Sequence, residues 1–250
     1  MAITTKERKG VTDEIFARSS ISAKMRMAET KELTPGQIGR GLSDESSRVR
    51  GAVARHQKLT EEQISLAAGD DSPLVRKSVL EHHKLAPAGI DKLLASERDI
   101  GVLQRLVRHQ VLSEKQVDLI LGGPQLLREN AVVWQKLTAR QTEEVIANGN
   151  EHIKWLLALH QKLEGFHIAS LLSEKSSPIK IAAIKRNALS STQLTMMLED
   201  KSENVRVAVV ESQKLNDFHL AKALHDPHWK VRMAATLHKG HNAIAAFMRK

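Results

Sequence analysis

A leucine returns at intervals of 25 to 27 residues along almost the whole chain, at Leu33, Leu59, Leu85, Leu112, Leu137, Leu163, Leu189 and Leu215. A fixed period of this length means stacked supersecondary units, each completing its apolar core against its neighbours. Such a chain presents a long surface rather than one enclosed pocket. The residues around each leucine therefore have to be sorted into those that join repeats and those left for a partner.

Residues 44–69 show the plan of one repeat. Val49, Ala52, Val53 and His56 fall at helical spacing, which predicts an amphipathic helix from about Ser46 to Gln57. Gln57 and Lys58 make the turn, and Leu59 plugs inward. Thr60 then has the chemistry of an N-cap, with Gln63 three residues on completing a capping box. The second helix turns Ile64, Ala67 and Ala68 inward and stops near Gly69. The same pairs recur as Thr34 with Gln37, Ser113 with Gln116, Thr138 with Gln141 and Ser190 with Gln193. Each repeat is thus two short antiparallel helices, and the fold is an α-solenoid. Aromatic residues make up only 3% of the chain, so the core is aliphatic, as thin layers between short helices require.

The string D-x-x-x-x-V-R-x-A-V-A-x-x-x-x-L-T/S-x-x-Q resembles the leucine-rich repeat variant family and, more loosely, the HEAT repeats. It reads here as Asp44 with Val49-Arg50, Asp70 with Val75-Arg76, Asp200 with Val205-Arg206 and Asp226 with Val231-Arg232. The resemblance covers roughly residues 20–241. It implies an all-α, right-handed ARM/HEAT-like superhelix of about eight to nine repeats, in which one helix of each pair is short or 3₁₀. The expected organisation is a basic arm (Lys6, Arg8, Lys9) and capping helix over 1–18, a continuous array over 19–241, and a capping helix over 242–250.

A basic residue follows the valine of each repeat, as Lys24, Arg50, Arg76, Arg128, Lys154, Lys180, Arg206 and Arg232. Six residues earlier stands an acid in five of them, Asp44, Asp70, Glu174, Asp200 and Asp226. The resemblance implies that these charges form a structural ladder between successive repeats. Gly122 and Asn148 occupy the acid position ahead of Arg128 and Lys154, while Glu97 precedes Leu103. Arg128 and Lys154 are therefore expected to lack partners, in a central stretch that also carries Arg105, Arg108, His109, Trp134 and Trp155. Cations beside tryptophan suit nucleobases and phosphates. Drifted repeats with tryptophan in the core fit the same residues.

A lysine precedes the register leucine at Lys58, Lys84, Lys136, Lys162 and Lys214. Three residues before the leucine stand His56, His82, His109 and His160, with Trp134 once replacing the histidine. Cations at helix C-termini gain ~0.3–1 kcal/mol from the helix dipole, which alone accounts for both columns. A docking edge is the competing reading. With packed helices ~8–10 Å apart, the steps from Lys58 to Lys214 would cover roughly 60 Å, about 17 base pairs of duplex.

The net charge of +9 favours anionic partners. The absence of cysteine excludes disulfides, thiolate metal sites and a cysteine nucleophile. The spacings His225-x-x-His228 and His238-x-x-His241 come with no acid or thiol cluster, so no metal or cofactor is expected. No apolar run approaches the ~18–20 residues of a membrane span, and the polar start MAITTKERKG is no secretory signal, so a cytoplasmic protein without a membrane partner is expected. The leading expectation is a non-enzymatic scaffold holding nucleic acid, DNA foremost, through its phosphates. An adaptor for an acidic protein is the alternative. A third reading rests on resemblance alone: alkyl-base DNA glycosylases use HEAT-like solenoids, though these repeats are shorter and more regular than that pattern.

Overall fold

The computed structural model describes residues 13–247, with side chains described through Lys239. The expected arm at Lys6, Arg8 and Lys9 lies outside the described residues, as do the side chains of the C-terminal cap. Among the described residues all regular structure is α-helical. A helix at 13–18, α1, precedes the repeats. The first helices of the repeats are α2 (Ile21–Thr30), α4 (Ser47–His56), α6 (Pro73–His82), α8 (Ile100–His109), α10 (Gln125–Trp134), α12 (Glu151–His160), α14 (Ser177–Arg186), α16 (Glu203–Ser212) and α18 (Trp229–Phe247). The second helices are α3 (Pro35–Leu42), α5 (Glu61–Ala68), α7 (Pro87–Ser96), α9 (Glu114–Leu121), α11 (Ala139–Asn148), α13 (Gly165–Leu172), α15 (Ser191–Met197) and α17 (Asp217–Leu224). The protein is an all-α repeat solenoid. Both members of each pair are α-helices, the second merely short, so the 3₁₀ alternative does not occur among them.

The helices cluster into two compact units, one ending at Gln135 and the other starting at Lys136. In the first unit, α4, α6, α8 and α10 pack side by side, and each second helix leans on the first helix of the next repeat. In the second unit, α12, α14, α16 and α18 do the same. The stripe that makes this possible sits ten, six and five residues before each register leucine. Val49, Val53 and Ala54, then Val75, Val79 and Leu80, then Val102, Leu106 and Val107, are all shut off from water. His56, expected to share the inward stripe, is exposed because Ala54 takes that direction instead.

All five predicted capping boxes form. Asn216 caps α17 in the same way through the His219 amide at 3.0 Å. One such cap stabilises a helix start by about 1 kcal/mol, so these short helices begin where the sequence places them. Gly69 follows α5 as foreseen, but with a φ of −99°, so the stop needs no left-handed residue.

Candidate anionic-partner surface

Two sets of polar side chains join the repeats, and they have to be separated from the surface before it can be read. The first is the charge ladder. Arg50 donates to Asp70 at 2.7 and 2.9 Å, Arg76 to Glu97 at 2.6 and 3.0 Å, and Arg206 to Asp226 at 2.7 and 2.9 Å. Lys24–Asp44, Lys154–Glu174 and Lys180–Asp200 are lysine rungs at 2.5–2.7 Å. The partner is the acid about 20 residues ahead, in the next repeat. The acid six residues behind offers only its backbone, as when Arg50 donates to the Asp44 carbonyl at 2.7 Å and Arg232 to that of Asp226 at 2.7 Å.

This direction corrects two sequence readings. Lys154 is no orphan, because its partner Glu174 lies in the following repeat. Glu97 does not merely face Leu103 but accepts from Arg76. Arg128 remains as expected in one respect: its Nε is buried with no hydrogen-bond partner. Burial alone would raise the carboxyls of Asp44, Asp70, Glu97, Asp200 and Asp226. The cation and a backbone N–H on each outweigh it and hold them below the ordinary carboxylate range.

The second set went unrecognised in the sequence. Where the residue two before the register leucine is glutamine, it forms a joint to the preceding repeat. Gln57 donates to the Ala28 and Lys31 carbonyls at 2.6 and 2.9 Å and accepts from the Leu33 amide at 2.9 Å. Gln110, Gln135 and Gln213 repeat the three bonds one or more repeats along. His83 replaces the glutamine once and bonds only the Ala54 carbonyl, at 2.7 Å. The signal was present as a recurring Gln-Lys-Leu string, in which only the lysine and leucine were weighed.

What remains outside these joints is a cationic face on the first helices of the first unit. Residues spaced i, i+3, i+4 and i+7 share one side of a helix. On α8 that side carries Gly101, Gln104, Arg105 and Arg108. On α4 it carries Arg48 and Arg55, on α6 Lys77 and Glu81, and on α10 Asn130 and Trp134. Glu81, whose side chain is 17% exposed, accepts from Arg105 at 2.7 Å and has Arg55 at 3.8 Å and the His82 Nε2 at 3.7 Å. Lys77 pairs with Asp99 at 3.0 Å. Arg48, Arg55, Lys77, Arg105 and Arg108 still outnumber Glu29, Glu81, Asp99 and Glu129, so the face stays positive by one charge. The guanidinium of Arg108 stands 4.5 Å from the centre of the Trp134 ring.

This face has two hollows. One of about 240 Å³ is lined by Arg48, Arg55, His56 and Leu74 over Gly51. The other, of about 250 Å³, is lined by Lys77, Gln104, Arg105, Arg108 and Asn130 over Gly101. A larger cleft of about 720 Å³ separates α5 from α7. Its lining includes the paired rung Arg76–Glu97 and Asp70, and it mixes the acids Glu61 and Asp71 with Lys84 and Lys92.

The structure divides the predicted site residues. Arg105, Arg108 and Trp134 are brought together with His82 and His109. Burial first, then the neighbouring arginines, lowers both of these histidines despite Glu81, so they are neutral at pH 7 rather than cationic. Trp134 is 49% exposed and so is no core filler, whereas Trp155 is partly buried and stacks on His152 at 5.7 Å. Lys58, Lys136, Lys162, Lys214 and His160 are exposed. Lys84 is exposed too, but its Nζ donates to the His109 carbonyl at 2.6 Å, which fits the helix-end role better than a docking role. Arg48, Arg55, Lys77, Gln104 and Asn130 were missed, since they follow the helix face of each repeat and not one column through all repeats. Among the described residues no three His, Asp or Glu are placed to hold a metal ion, and no helix is long and apolar enough to cross a membrane.

The fold defines a class, the α-helical repeat protein. Neither a known protein family nor a curated protein matches the sequence. Among solved structures, a leucine-rich repeat variant with a novel repetitive protein structural motif is similar, with a TM-score of 0.63 and 18% identity. The match covers 95% of this chain and 88% of that one. The chain therefore has a leucine-rich-repeat-variant type of fold, as the D-x-x-x-x-V-R string implied.

Proposed function

We propose that this chain is a non-enzymatic scaffold that holds nucleic acid by its phosphates on the first-helix face of α4 to α10. The observation that carries the reading is the row Arg48, Arg55, Lys77, Arg105 and Arg108, which stands apart from both sets of repeat joints. Arg55, Lys77 and Arg105 also pair across repeats with Glu81 and Asp99, but Arg48 and Arg108 form no ion pair among the described residues and are left over from the stacking. Glu81, the most shielded carboxylate of the face, is tied to Arg105, a position that suits an ion pair better than a general base.

Five phosphate contacts give a log–log salt slope of about −4. Fluorescence anisotropy with labelled oligonucleotides over a salt series measures it. A flat salt dependence, or no binding at about 50 mM salt, refutes the reading. Leu74 and Leu126, exposed among the cations, favour a second partner class, an acidic protein. Co-purification that survives nuclease treatment would select it.

A further inference from the structure

Resting on the nucleic-acid reading above, we infer that the partner is single-stranded, with a phosphate in the Gly101 hollow and the adjoining base stacked on Trp134. The hollow has the donors such a group needs. Lys77, Arg105 and Arg108 supply charge, and the Gln104 and Asn130 amides supply further N–H groups of the kind that bind phosphate oxygens. Gly101 is what keeps it open. A Cβ there would come within 2.6 Å of the Lys77 Nζ, so the lysine can lie across α8 only because the position has no side chain.

Arg108 joins the two halves of the site. It walls the hollow, and its guanidinium also covers the Trp134 ring at 4.5 Å. The indole of Trp134 is half exposed, with an apolar face and a polar edge of the kind found at interaction surfaces. Phosphate and base of one nucleotide are covalently close, and here their matching surfaces share one arginine.

The indole decides between single strand and duplex. A duplex keeps its base faces stacked inside and shows only their edges in the grooves. An aromatic side chain on a helix wall meets no π-face there unless the duplex is opened. A single strand offers such faces at every base, whatever its sequence.

The test titrates the full chain, carrying Trp155→Phe and Trp229→Phe so that only Trp134 emits. The probes are oligo(dT), a duplex of matched length, polyphosphate and polyglutamate. We expect oligo(dT) to quench Trp134 and to bind at least about tenfold tighter than duplex. Trp134→Ala should weaken oligo(dT) by about 5- to 150-fold while leaving duplex and polyphosphate unchanged, and Trp134→Phe should restore most of the loss. Arg105→Glu with Arg108→Glu should weaken every nucleic-acid probe. Equal affinity for single strand and duplex with unquenched Trp134 overturns the inference and leaves the phosphate reading standing. Polyglutamate bound more tightly than oligo(dT) overturns it in favour of an acidic protein. No binding of any polyanion overturns both readings.

Discussion

Replacing Gln110 by alanine tests the joint that holds successive repeats of the first unit together. Its Nε2 donates to the Leu80 and His83 carbonyls at 2.7 and 2.8 Å, and its Oε1 accepts from the Leu85 amide at 3.0 Å. The side chain is only 3% exposed, so water cannot take over these bonds without opening the joint. At about 1 kcal/mol for each bond lost, the substitution costs about 3 kcal/mol. For a chain of this length that lowers Tm by about 6–12 °C. Gln110→His copies the natural arrangement at His83, which keeps a single bond, and should cost about 2 kcal/mol. His83→Ala should cost only about 1 kcal/mol. Thermal melts rank the three variants, and amide hydrogen exchange at Leu85 reports the joint directly. The chain of reasoning fails if Gln110→Ala shifts Tm by less than about 2 °C with Leu85 still protected.

Four further outcomes follow from the same geometry. Asp70→Ala strips Arg50 of both carboxylate bonds and Ser72 of its N–H acceptor, so a partly buried charge is left unpaired; urea denaturation should show a loss of about 3 kcal/mol. Gly101→Ala should raise helix stability by about 0.5–1 kcal/mol yet weaken polyphosphate binding, because the new methyl displaces Lys77; melts and titrations moving in the same direction would refute the hollow. The ladder carboxyls are lowered in the fold from ordinary values of 3.8 and 4.5, so the unfolded chain takes up protons first. Their stability is complete above about pH 5 and drains away as pH falls through 4, which an acid titration followed by circular dichroism checks. His82 and His109 are also lowered, from 6.5, so stability should slip further as pH drops below that value. Once they do charge, beside Glu81, Arg55, His56, His83, Arg105 and Arg108, oligonucleotide affinity should rise; affinity that stays constant as pH falls from 6.5 to the onset of acid unfolding would contradict this.

The architecture was legible because its signals are local and repeated. A capping box is spelled by two residues three apart, and the inward stripe Val49–Val53 by two residues four apart. The ladder was visible as a pattern but not as a set of partners. An acid six residues before a cation and an acid 20 residues after it recur equally in a 26-residue repeat, and only packing tells which carboxylate reaches Arg50. Hence Lys154 looked unpaired while Glu174 awaited it. The glutamine joint was harder still. A glutamine in a polar turn looks solvated until a neighbouring repeat lays the Leu80 and His83 carbonyls against it.

The same logic explains why a periodic column says little about a partner. A residue type that recurs at one register position answers a demand every repeat shares, and in a stack the shared demand is joining the next repeat. Gln57, Gln110 and Gln213 are periodic for this reason, and so are Arg50, Arg76 and Arg206. One member of the lysine column shares that role: Lys84 closes on the end of α8, whereas Lys58, Lys136, Lys162 and Lys214 are exposed. A partner, by contrast, meets a face that differs from repeat to repeat. At the position four before the leucine the chain reads Arg55, Glu81, Arg108 and Val133, and at eight before it Gly51, Lys77, Gln104 and Glu129. Part of that variety pairs across repeats, as Glu81 does with Arg55 and Arg105, and part does not. Lys77, Arg105 and Arg108 line one hollow beside Trp134, and that departure from periodicity is why we propose this face, and not the lysine edge, as the docking surface.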